Sequence, residues 1–148
     1  MKVISVALFL VFVACVGASA AVPVDNARAL FERYVQLEHA FDPAVADLYA
    51  DDAIIKNKRT YPNGQVRELT MPAPQYKGLI KASMPVAKLK GDTISYSDVT
   101  FKEEGSGVRI LAARFSNLKK YSSPISLLVA PNGSGQWLIR EELSESQP

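Results

Sequence analysis

Apolar residues at Ala27, Leu30, Phe31, Tyr34, Val35, Leu37 and Phe41 recur three or four apart and form one broad face. Arg28, Glu32, Arg33, Gln36 and Glu38 fall largely elsewhere. The spacing predicts an amphipathic helix from an Asp25 N-cap to about Ala40, packed on a sheet. Asp42 caps a short helix over Ala44 to Tyr49, with Pro43 at the first helical position, where a missing N–H costs nothing. Asp51-Asp52 then turns the chain into a strand from Ala53 to Thr60. Tyr61-Pro62-Asn63-Gly64 makes a turn, and a second strand covers Gln65 to Thr70. Gln75 to Lys90 reads as a third helix carrying Tyr76, Leu79, Ile80, Met84 and Val86, kinked or divided by Pro85 and closed by Gly91.

The remainder alternates as strand. Thr93 to Glu103, Val108 to Leu118, Ser122 to Ala130 and Gln136 to Leu143 are separated by Gly-rich or polar turns, so an antiparallel meander is expected. Val108, Ile110, Ala112 and Leu118 fall on one face, and Leu111, Ala113 and Phe115 on the other. Both faces therefore call for cover, and helices can cover only one. The second apolar face predicts a homodimer through the sheet.

The N-terminus stands apart from this pattern. Lys2, an apolar run from Val3 to Val16 and Ala18-Ser19-Ala20 have the organisation of a secretory signal peptide over residues 1–20, cleaved near Ala20. A secreted or periplasmic product is expected, with residues 21–148 forming a single domain. The run is too short to span a bilayer, and no later segment is apolar enough to do so. Cys15 is the only cysteine; a lipoprotein anchor there is the alternative, and cleavage after Ala20 would discard it. The mature chain would then hold no thiol, which excludes disulfides, cysteine nucleophiles and Cys-based metal sites. The net charge of +2 falls by one with Lys2 and is interspersed along the chain, so nothing calls for nucleic acid.

Helix, short helix, acidic turn and strand follow one another from Tyr34 to Asn57 around the core Tyr49-Ala50-Asp51-Asp52-Ala53. This run resembles the start of NTF2-like domains, the family that includes ketosteroid isomerases and SnoaL-like cyclases, and the element order extends the likeness over nearly all of the mature chain. The resemblance implies an α+β cone with N-terminal helices packed on a curved, mostly antiparallel sheet, and a ligand cavity between them. Another exported α+β sheet, such as a cystatin-like domain, is the competing fold, but its single helix leaves Gln75 to Lys90 unexplained. Against the ketosteroid isomerase pattern, Tyr34 matches the helix-one oxyanion donor. Asn57 stands where that family places an aspartate base, and Ser126 near its second acid. An amide cannot abstract a proton, so that activity does not carry over.

Other residues could supply chemistry. His39 is the only histidine, so a multi-histidine metal site is impossible; near a helix C-terminus it can simply complement the dipole. Arg114, Glu141 and Glu142 are the charged residues to watch. If Trp137, Ile139, Glu141 and Leu143 share the cavity face of the last strand, Glu141 is a carboxylate in a partly apolar pocket, available as acid or base unless Arg114 neutralises it. Tyr34, Tyr76, Tyr96, Met84 and Trp137 can line the cavity or simply pack the core. The preferred reading is a domain that holds a small apolar or aromatic molecule, without a cofactor or metal, in a site drawn from Tyr34, Asn57, Tyr76, Met84, Arg114, Ser126, Trp137 and Glu141. The alternatives are a cofactor-independent SnoaL-like lyase, isomerase or cyclase using Tyr34 with Glu141 or His39, and a protein-interaction module.

Overall fold

The computed structural model describes residues 23–147, so the signal-peptide reading and Cys15 lie outside the described residues. Helix α1 (Pro23–His39) leads into a 3₁₀ helix (Pro43–Leu48) and strand β1 (Tyr49–Thr60). Then follow β2 (Val66–Pro72), α2 (Ala73–Lys90), β3 (Ile94–Glu104), β4 (Gly107–Ser116), β5 (Tyr121–Pro131) and β6 (Trp137–Ser146). The six strands form one sheet in the order β2-β1-β6-β5-β4-β3. Every neighbouring pair is antiparallel except β1 and β6, which run parallel.

The α1 stripe behaves as its periodicity demands, burying Ala27, Leu30, Phe31, Tyr34 and Leu37. It meets the inner face of the sheet at Val108, Ile110 and Ala112 of β4, Ile125, Leu127 and Val129 of β5, and Ile139 of β6. Just past the end of α1, Phe41 takes the left-handed region (φ 54), and Phe41 N–H donates to the Glu38 carbonyl and Asp42 N–H to that of Leu37. Asp42 caps the 3₁₀ helix as expected, its Oδ1 accepting from Ala44 N–H at 2.8 Å.

Two local expectations change. Strand β1 starts at Tyr49, so Asp51-Asp52 is no turn: it lies within the strand, at an irregularity of the β1–β6 register between Tyr49 and Ile54. Helix α2 runs unbroken through Pro85, which is exposed, so the carbonyl left without its helical donor costs little. That helix buries only Ala73 fully, and Leu79, Val86 and Leu89 remain exposed. Among the described residues no helix is long and apolar enough to cross a membrane.

On the outer face of the sheet, Ile54, Leu111 and Leu143 are exposed. A groove of about 450 Å³ runs there between Lys56, Lys58, Leu111, Ala113, Ser126 and Leu143.

Candidate functional site

Helix α1, the 3₁₀ helix and α2 leave a cavity of about 260 Å³ against the sheet. Tyr34 and Glu38 reach it from α1, Val45 and Tyr49 from the following turn and strand, Tyr76, Leu79, Ile80, Ser83 and Met84 from α2, and Arg114 from β4. Tyr34 and Glu38 stand one helical turn apart, the spacing that puts two side chains on the same face. A second, more polar cavity of about 180 Å³ lies on the sheet beyond Arg114 and includes Asn57, Asp92, Lys119, Tyr121 and Ser123. Arg114 borders both cavities.

Two interior carboxylates organise the polar side of the site. Glu142, 2% exposed, accepts the Tyr49 hydroxyl on Oε2 and the Tyr76 hydroxyl on Oε1, the latter at 2.9 Å. Glu38 accepts the Tyr96 hydroxyl at 2.6 Å on one oxygen and meets Nη2 of Arg114 at 3.4 Å on the other. All four oxygens are therefore engaged. Burial pushes the Glu38 carboxyl above its usual range, against the pull of Arg114 and the Tyr96 hydroxyl. Burial also pushes the phenols of Tyr34, Tyr49, Tyr76 and Tyr96 up, with nearby carboxylates adding to it, so all four remain neutral donors. Arg114 stays charged: burial lowers its pKa, but Tyr96, Tyr34, Glu38 and Glu142 more than offset this. Its Nε is buried and without a hydrogen-bond partner.

The expected site residues separate into groups. Tyr34, Tyr76, Met84 and Arg114 converge on the cavity. Asn57 sits in the polar cavity, where it donates to Ser144 Oγ at 3.0 Å and accepts from Ser146 Oγ at 2.8 Å. Trp137 is partly buried at the opposite end of β6 and packs against the core. His39 is exposed outside the cavity, its Nε2 2.6 Å from the carbonyl oxygen of Ile94.

Glu141 and Ser126 lie on the outer face, contrary to the expectation from strand parity. Val129 pairs with Ile139 but Leu128 pairs with Glu141, so the register slips past Arg140 and the side chains beyond it change faces. Glu142 turns inward, and Glu141 turns out to Nη1 of Arg109 at 2.6 Å. The same guanidinium reaches Ser126 Oγ at 3.3 Å and Glu104 at 2.7 Å. Arg114 thus pairs with Glu38 rather than with Glu141.

Sequence reasoning overlooked Glu38 and Tyr49 as site residues. The position of Glu38 four residues after Tyr34 was the available signal; Tyr49 gave none beyond its place at the end of the short helix. Among the described residues no group of three His, Cys, Asp or Glu could hold a metal ion.

Sequence comparison matches no family model and no curated protein. Comparison of structures matches an NTF2-like protein of unknown function from Pseudomonas putida KT2440 with a TM-score of 0.64 and 15% identity, over 83% of this chain and 85% of that one. An NTF2-like protein with a cystatin-like fold from Novosphingobium aromaticivorans matches at 0.56 and 16%, over 83% and 80%. A protein provisionally assigned as a ketosteroid isomerase, from Shewanella frigidimarina NCIMB 400, matches at 0.59 and 18%, over 80% and 94%. Identities this low speak for architecture alone: the chain has the NTF2-like fold, an α+β cone with its helices packed on a curved, mostly antiparallel sheet.

Proposed function

We propose that this chain is an exported domain that binds a small, largely apolar or aromatic molecule in the cavity between α1, α2 and the sheet. The observation that carries the reading is the cavity itself: about 260 Å³ of space walled by Tyr34, Tyr49, Tyr76, Leu79, Ile80 and Met84, with Arg114 and Glu38 at one side. A well-formed apolar pocket with a few convergent polar groups is what small-molecule recognition requires, and this volume suits a ring-sized ligand. Export rests on the pattern of residues 1–20, and pairing of two copies on the exposed apolar positions of the outer face. The test is a ligand-observed NMR screen of single-ring aromatic compounds against the mature chain and against Ser83→Trp, which fills the cavity from its exposed rim. Binding that is lost in the variant supports the reading. Binding that persists in it places the ligand elsewhere.

A second reading, a cofactor-independent lyase or isomerase, is favoured by one specific observation. Burial raises the Glu38 carboxyl one helical turn from the neutral Tyr34 phenol, which combines a proton acceptor with an oxyanion donor in one cavity. Under this reading Glu38→Gln abolishes turnover of a bound ligand while retaining its binding.

A further inference from the structure

We infer that Arg114 anchors the ligand through an uncharged oxygen acceptor, so that the cavity takes small carbonyl compounds in preference to carboxylic acids or amines. This rests on the binding reading above and specifies its ligand class.

Arg114 carries five N–H donors, and its one hydrogen bond among the described residues is that of Nη2 to Glu38 at 3.4 Å. Nε is buried and has no partner, a state that costs free energy unless an acceptor arrives. Nη1 donates to no protein group among the described residues, and the residue borders both cavities. Donor capacity is therefore in surplus. The carboxyl oxygens already accept from the protein, those of Glu142 from Tyr49 and Tyr76 and those of Glu38 from Tyr96 and Arg114. A ligand that complements this wall brings an acceptor.

Charge decides which kind of acceptor. Glu38 and Glu142 both present carboxyl groups to the interior that Arg114 and the tyrosines line. The interior thus sets two carboxyls against one guanidinium. A ligand carboxylate would add a further acidic group beside the largely buried Glu38 and Glu142, where like charges repel. An ammonium would meet the like charge of Arg114 and carboxyl oxygens that already accept from the protein. A neutral carbonyl oxygen takes the guanidinium's spare donors without changing the charge, and a ring attached to it fits among Tyr34, Tyr49 and Tyr76.

The experiment is isothermal titration of the mature chain with four compounds of similar size: acetophenone, ethylbenzene, benzoate and benzylamine. Acetophenone should bind about ten- to hundredfold more tightly than ethylbenzene, the effect of one hydrogen bond to a charged group. Benzoate and benzylamine should bind more weakly than acetophenone. Arg114→Met should erase the preference for acetophenone over ethylbenzene. The double variant Glu38→Gln/Arg114→Met, which also removes the carboxyl left without its partner, provides the same comparison if circular dichroism shows the single variant unfolded. Benzoate or benzylamine binding most tightly, or acetophenone binding no better than ethylbenzene, overturns the assignment and leaves the cavity a ligand site. Failure of all four to bind overturns the binding reading as well.

Discussion

The Tyr76 hydroxyl, on α2, donates to the Glu142 carboxylate, on β6, across 2.9 Å, and so joins the most exposed helix to a carboxylate sealed in the core. Helix α2 buries only one residue fully, so this bond and the Lys77 contacts to Tyr49 O and Asp51 supply attachment that packing does not. Tyr76→Phe should cost about 1.5–3 kcal/mol, because it strips a buried carboxylate of one donor. Urea unfolding measures the loss, and hydrogen exchange should rise first in α2.

Substitutions at the two adjacent glutamates should separate cleanly. Glu142→Gln replaces an acceptor oxygen with a donor that faces a tyrosine hydroxyl, and should cost about 1–3 kcal/mol. Glu141→Gln weakens only a partly exposed link to Arg109, and should cost less than about 1 kcal/mol and leave ligand binding unchanged. Thermal melts of the two variants check the difference. The opposite order would mean that the last strand presents its other face to the cavity.

The raised Glu38 carboxyl makes stability depend on acidity. Its folded pKa lies above the ordinary 4.5, so the native state holds the proton more firmly than the unfolded chain does. As pH rises through 4.5 toward the folded value, the unfolded state releases its proton first and stability falls. Glu38→Gln lacks this titration. Melting temperatures of the wild type relative to that variant should therefore decline from pH 4.5 upward, and a relative rise would contradict a raised pKa.

Gly107 opens β4 where a Cβ atom would lie 2.3 Å from the Val129 carbonyl oxygen. Backbone cannot yield there as a flexible side chain could. Gly107→Ala should cost at least about 2 kcal/mol, read as a lowered urea midpoint, although alanine suits an extended strand better than glycine does.

Much of this architecture was legible because it rests on periodicity. The α1 stripe from Ala27 to Leu37 specifies its buried face, and turn residues punctuate the strands from β3 to β6. The site was less legible because one irregular register step decides it. Alternation along β6 puts Glu141 with Ile139, and only the slip past Arg140, which pairing with β5 imposes, turns Glu142 inward. No local pattern announces such a step. Glu38 was hidden for a different reason: it reads as part of the polar face of α1, and only Tyr96 and Arg114 on distant strands show that this edge of the helix is enclosed. Asp51-Asp52 misled in the same way, since two acidic residues signal a turn more readily than an irregular strand.

The parallel pairing of β1 with β6 also sets an order on folding. The hairpin of β1 and β2 joins the other strands only through β6, the strand made last. A nascent chain therefore holds Ile54 and Ile55 without their β6 neighbours until synthesis has passed Glu142, and the search that closes this distant contact, with its loop entropy, should limit the folding rate.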